Sequence, residues 1–184
     1  MEIQETFIPG LYVIKPVVFN DNRGFFYELY NEKKYSANGI NTQFVQDNVS
    51  FSKKGTIRGL HYQLNPFSQA KLVYVIKGAV LDVVVDLRKN SPTYGKHFSI
   101  ELTEENNLQL FIPKGMAHGF SVLSDEVLFF YKCDNEYNKE SERGINLFDP
   151  LLAIDWKISP DEAIISPKDI ILPEFNESES NFYF

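Results

Sequence analysis

The chain has 184 residues, of which 43% are hydrophobic and 15% aromatic. That is enough for one domain with a full core and too apolar for a disordered chain. Its formal net charge is −7 and it contains no lysine-arginine run, which excludes a nucleic-acid or anionic-membrane surface built on clustered cations.

The first residues, MEIQETFIPG, are acidic where a leader would be basic, and no apolar run approaches the roughly 20 residues of a membrane helix. Short alternating runs then follow one another. LYVIKPVVF comes first, followed by the turn Asn22-Arg23-Gly24. Asn31–Gly39 reads as a helix, with Asn31 as N-cap and Gly39 as stop. Thr56–Gln63, TIRGLHYQ, has strand character yet carries an arginine and a histidine. After the turn Asn65-Pro66 come KLVYVIKG and Ala79–Leu87. In the latter, Leu81, Val83, Val85 and Leu87 share one face, and Asp82 and Asp86 the other. HFSIEL, NLQLFIP and EVLFFYKC complete the set, separated by Asn90-Ser91-Pro92 and Pro113-Lys114-Gly115. A helical turn is expected at Ser159-Pro160-Asp161-Glu162. Many short strands with regular turns predict a mainly β protein, a sandwich, barrel or jelly roll, as one domain over residues 1–184. Residues 176–184 read as a mobile tail.

Three cations aim into this β framework. Lys71 shares a face with Val73 and Val75, and lysine is almost never buried without a partner. His61 lies on the strand before that of Lys71, and His118, in IPKGMAHGF, falls where Pro113-x-Gly115-x-x-His118 forms a tight turn ahead of another strand. Such a cluster makes sense if an anion or a polarised carbonyl binds between them. Arg58 and His61 differ by three positions, so strict alternation puts them on opposite faces. If both serve one cavity, a bulge or bend is needed at Gly59. A metal fits poorly, because His61-Tyr62-Gln63 lacks the second imidazole of a metal-binding pair and no acid follows at Gln69. Cys133, the single cysteine, cannot form an internal disulfide and reads as a small buried hydrophobe.

Six segments in register, FNDNRGFFYE, QDNVSFSKKGTIRGLHYQ, AKLVYVIKGAVLDVVVDLRKNSPTYG, IPKGMAHGF, FFYKCDNEY and ISPKDI, resemble the dTDP-4-dehydrorhamnose 3,5-epimerase family from about Phe19 to Asp169. The acidic N-terminus, the absence of a membrane-length apolar run and the single cysteine predict a soluble cytoplasmic protein. The resemblance implies a cupin-type jelly roll, a homodimer, no metal or other cofactor, and a nucleotide-linked 4-keto-6-deoxy hexose as substrate. It also implies His61 as general base with Asp169 as its partner, Tyr131 as the acid on the opposite face, and Lys71 as enolate stabiliser. Gln46, Asn48, Arg58, His118, Glu142 and Lys168 match substrate contacts. Phe19, Arg23, Phe26 and Glu28 match further ones, Arg23 and Glu28 reaching in from the neighbouring subunit, while Phe19 and Tyr137 flank the base.

The chemistry needs such groups. A ketone acidifies the C3 and C5 hydrogens, but a gap on the order of a dozen pKa units to a histidine remains, at 1.36 kcal/mol each. A fixed donor must therefore meet the charge on the C4 oxygen. Inversion also needs a proton source on the other face. A tyrosine serves if nearby cations lower its pKa, which is the expectation for Tyr131. A mono-epimerase on another nucleotide sugar, a non-catalytic sugar-nucleotide-binding cupin and a metal-dependent cupin oxygenase remain the alternatives.

Overall fold

A computed structural model describes all residues 1–184. Thirteen strands form: β1 (Glu2–Glu5), β2 (Tyr12–Lys15), β3 (Val18–Asp21), β4 (Gly24–Tyr27), β5 (Gln46–Lys53), β6 (Ile57–Gln63), β7 (Lys71–Lys77), β8 (Ala79–Asp86), β9 (His97–Thr103), β10 (Gln109–Ile112), β11 (Met116–Val122), β12 (Glu126–Cys133) and β13 (Glu142–Gly144). The helices are short, α1 (Glu32–Ser36) and α2 (Pro167–Ile170), with single 3₁₀ turns at Pro160–Glu162 and Phe175–Glu177. No helix is long and apolar enough to cross a membrane. Asn31 caps α1 by accepting from the Lys34 N–H. The run from Leu11 to Phe19 breaks in two at Pro16, whose missing N–H cannot join a ladder.

Two sheets face each other as a jelly roll of the cupin type. One has strand order β1-β2-β10-β7-β12-β5 and the other β13-β6-β11-β8-β9. Between them lies an apolar core of Val73, Val75, Val80, Val84, Leu110, Phe120, Val122, Val127 and Phe129 with their neighbours. The outer face of the second sheet is covered as well. Leu81, Val83, Val85 and Leu87 pack there against Trp156, Leu147, Phe175 and Phe182 from the C-terminal stretch. The alternation in β8 is therefore real, but both faces are buried, and the Asp82 face is the barrel interior.

The C-terminal residues, read from the sequence as a mobile tail, lie packed. Phe182 is buried edge-on to Tyr62, and the Tyr62 hydroxyl donates to the Glu179 carbonyl at 2.6 Å. Asn181 exchanges hydrogen bonds with Asn65, and Tyr183 forms a parallel bridge with Lys89. Hairpin β3–β4 stands apart from both sheets, with Phe19, Phe25 and Phe26 each more than 60% exposed.

Candidate active site

The interior faces of the strands change from apolar to polar toward one end of the barrel. On β7 the series runs Val75, Val73, Lys71. On β12 it runs Val127, Phe129, Tyr131, Cys133. These polar ends, with β6 and β11, enclose a cavity of about 510 Å³ lined by Arg58, His61, Lys71, His118, Tyr131, Glu142, Lys168 and Asp169. A second lobe of about 400 Å³ shares His61, Lys71, Tyr131 and Glu142 and adds Gln46, Asn48, Cys133 and Tyr137.

The register problem at Gly59 is solved by a break in pairing. His118 pairs with His61, but Phe120 pairs with Arg58, so the ladder slips between them. Gly59 has φ +131° in a cis peptide with Leu60, and a Cβ there would stand 2.5 Å from Gly119 Cα. Only glycine on both strands allows this approach. As a result Arg58 and His61 both line the cavity although three positions separate them.

His61 Nε2 lies 2.8 Å from Asp169 Oδ1, and its other ring nitrogen has no protein partner. Asp169 is buried at the start of α2, where the Ser166 hydroxyl accepts from its backbone N–H. Burial raises the Asp169 pKa, but the hydrogen bond and charge of His61, with help from Ser166 and Lys168, hold it below the ordinary carboxylate value. Burial pushes the Lys71 ammonium below the usual lysine value, against the pull of Cys133, Asp82 and Glu142.

Tyr131 departs from expectation. Burial, with Cys133, raises its pKa, and Arg58 does not overcome this. The phenol therefore stays protonated, which suits a proton donor. Cys133 is buried and its thiol is pushed up to about 11, so it is the small inert hydrophobe that the sequence suggested. Glu142 accepts from the Tyr137 hydroxyl at 3.0 Å and from Lys168 at 3.2 Å, tying together two residues at the mouth.

Phe19, Arg23, Phe26 and Glu28 do not reach this cavity. The first three line a groove on the hairpin, where Arg23 pairs with Asp21, and Glu28 pairs with Lys34. One buried participant was missed in the sequence. Asp82, fully buried on β8, receives the His118 ring at 2.9 and 3.1 Å. Its alternation with Leu81 and Val83 gave no sign that the polar face pointed inward.

A jelly-roll barrel whose polar end holds two imidazole–carboxylate pairs, a half-buried lysine and a protonated tyrosine defines a cupin equipped for acid–base chemistry. The sequence profile of dTDP-4-dehydrorhamnose 3,5-epimerase matches residues 5–177. The chain is 48% identical over 180 residues to the dTDP-4-dehydrorhamnose 3,5-epimerase of Shigella flexneri, covering 97% of this chain and 98% of that one. It superposes on the crystal structure of the Elizabethkingia anophelis dTDP-4-dehydrorhamnose 3,5-epimerase with a TM-score of 0.92 at 51% identity, covering 96% and 97% of the two chains. It also superposes on the Legionella pneumophila dTDP-6-deoxy-D-glucose-3,5-epimerase in complex with dTDP-4-keto-L-rhamnose, with a TM-score of 0.91 at 47% identity and coverage of 96% and 93%. The chain belongs to the dTDP-4-dehydrorhamnose 3,5-epimerase family.

Proposed function

We propose that this protein inverts C3 and C5 of dTDP-4-dehydro-6-deoxy-D-glucose to give dTDP-4-dehydro-L-rhamnose. The observation that carries the reading is the His61–Asp169 pair at 2.8 Å, opening on a cavity shared with Lys71 and Tyr131. His61 takes the proton from carbon. The C–H electron pair becomes a C=C bond, and the carbonyl π pair moves to the C4 oxygen beside the Lys71 ammonium. Asp169 fixes the His61 tautomer and balances the imidazolium that forms. The protonated Tyr131 delivers its proton to the other face. Gln46, Asn48, Arg58, Glu142 and Lys168 hold the nucleotide and sugar, with paired hydrogen bonds from Arg58 to phosphate oxygens and Tyr137 against the base.

The protein works as a homodimer. The hairpin aromatics are exposed, and so are Val49 and Phe51 on the edge strand β5, an apolar face that a second copy would cover. Arg23 and Glu28 then complete the neighbouring cavity. Incubation with dTDP-4-dehydro-6-deoxy-D-glucose, followed by NMR of the ring protons, tests the reading. The inverted sugar is expected, and unchanged substrate overturns it.

A further inference from the structure

Asp82 takes no part in the mechanism above, yet it is a fully buried acid between Val80 and Val84 on the interior face of β8. A carboxylate there costs several kcal/mol unless it is paired. Its one side-chain partner is His118, whose Nε2 lies 2.9 and 3.1 Å from the two carboxylate oxygens. The other His118 nitrogen has no protein partner, and the ring lies against Phe129 at 6.2 Å. His118 is also the direct cross-strand partner of His61. Two imidazoles thus stand side by side, each with Nε2 turned to a buried carboxylate and Nδ1 left free.

We propose that Asp82 and His118 form a second dyad, in which His118 gives a proton to the C4 oxygen and Asp82 is its positioning residue. This rests on the epimerase reading. Asp82 accepts the Nε2 proton, so any further proton on the ring resides on Nδ1, the nitrogen without a protein partner. His118 is bonded to Asp82 from β8, pairs across the ladder with His61 from β6, and shares the cavity with Lys71 from β7, Tyr131 from β12 and the carboxylates Glu142 and Asp169. Asp82 is the one anion hydrogen-bonded to it. It balances the charge of a protonated His118 and leaves that of Lys71 for the oxygen.

Asp82 is bonded to His118 and also interacts with Lys71, whereas Asp169 is bonded to His61, and Glu142 interacts with both Lys71 and His61. His118 thus shares its own carboxylate with the lysine that meets the developing oxyanion, and His61 works as the base. When His61 Nδ1 takes the carbon proton, the C–H pair enters the new C=C bond and the carbonyl π pair moves to oxygen. That oxygen takes the Nδ1 proton of His118, leaving an enol and a neutral imidazole still bonded to Asp82. When Tyr131 protonates the opposite face, the enol proton returns to His118.

The test combines Asp82→Asn, His118→Gln and the double variant, read by kcat and by deuterium exchange at C3 and C5 in heavy water. Asp82→Asn is expected to lower kcat by roughly 10²-fold, the scale of one lost oxyanion donor, with KM little changed. Exchange at both carbons should slow together, and Asp82→Asn should add nothing on the His118→Gln background. Loss of exchange at a single carbon would make His118 a second base and overturn the proposal. Normal kcat in Asp82→Asn, or effects that multiply in the double variant, would also overturn it. ¹⁵N NMR of the histidine rings in the unmutated protein reads the dyad independently of folding in the variants and of turnover. Protons on both ring nitrogens of His118 are expected before turnover; a bare Nε2 would contradict the dyad, and a bare Nδ1 would overturn the proton-donating role. If the unmutated protein fails to turn over while Nε2 is protonated, the epimerase reading falls, and the oxygen-protonating role with it, but the dyad geometry stands.

Discussion

Asp169 and His61 are 108 residues apart in the chain and 2.8 Å apart in the cavity wall. Asp169→Asn keeps the shape but loses the charge that steadies the imidazolium. The expected loss in kcat is about 10²- to 10⁴-fold, with KM nearly unchanged. The same pair enters stability. The folded pKa of Asp169 lies below its unfolded value, so its contribution is present above the ordinary carboxylate range and is lost as pH falls through the folded value. Urea midpoints of the unmutated protein and Asp169→Asn should therefore converge below about pH 4. A constant gap from neutral to acid pH would speak against the ion pair.

Lys71 must be charged to meet an oxyanion, and burial lowers its pKa. Activity should decline on the alkaline side at a pH below that of a free lysine, because the ammonium is lost earlier than in water. Lys71→Met should slow turnover by about 10²–10³-fold and remove that alkaline limb. A limb that persists in Lys71→Met would assign it to another group.

The hairpin aromatics give a test of assembly. Phe19→Ser with Phe26→Ser changes two residues that a single chain leaves exposed, so folding should survive with melting within a few degrees. Sedimentation should show weakened dimers, and KM should rise because the neighbouring Arg23 and Glu28 no longer reach the cavity. An unmutated protein that sediments as a fully active 21.3 kDa monomer would contradict the dimer.

The C-terminal strap is held from several sides. Phe182 is buried against Tyr62, and Arg143 donates to Glu179 at 2.8 Å. Tyr62 and Arg143 are register partners on β6 and β13, the strands that carry His61 and Glu142. Phe182→Ala should cost about 3–5 kcal/mol, measured by urea unfolding, as for other buried aromatics. A loss below about 0.5 kcal/mol, the scale of a surface substitution, would mean the strap is loose in solution.

Most of the barrel was legible because alternation and turn chemistry are local. The α1 cap at Asn31 and the 3₁₀ turn at Pro160 follow from single residues, whereas α1 ends at Ser36, earlier than the expected stop at Gly39, which sits in the following turn at φ +90°. The slip at Gly59 was also legible, since Arg58 and His61 could share a cavity only through a break in pairing. Strand β5 gave no such signal. Its inward residues Gln46, Asn48 and Ser50 are polar because they line the site, and Ser52 because it accepts from Arg58, so the usual apolar face is missing. Asp82 was hidden for the same reason, since a polar face normally marks solvent. The His61–Asp169 pair came from resemblance alone, because no periodicity links residues across such a distance. Tyr131 was misjudged because burial depends on the packing of the whole barrel and outweighs one nearby arginine. The tail looked frayed because polar and acidic residues conceal the single buried Phe182.

The central claim is that one base–carboxylate pair opens an enolate path to both carbons beside the ketone. Turnover of dTDP-4-dehydro-6-deoxy-D-glucose in heavy water tests it most directly, with the recovered sugar nucleotide read by mass spectrometry and NMR. The account predicts deuterium at both C3 and C5 in the unmutated protein and at neither in His61→Ala. Label at one carbon only, or at both carbons without His61, would contradict it.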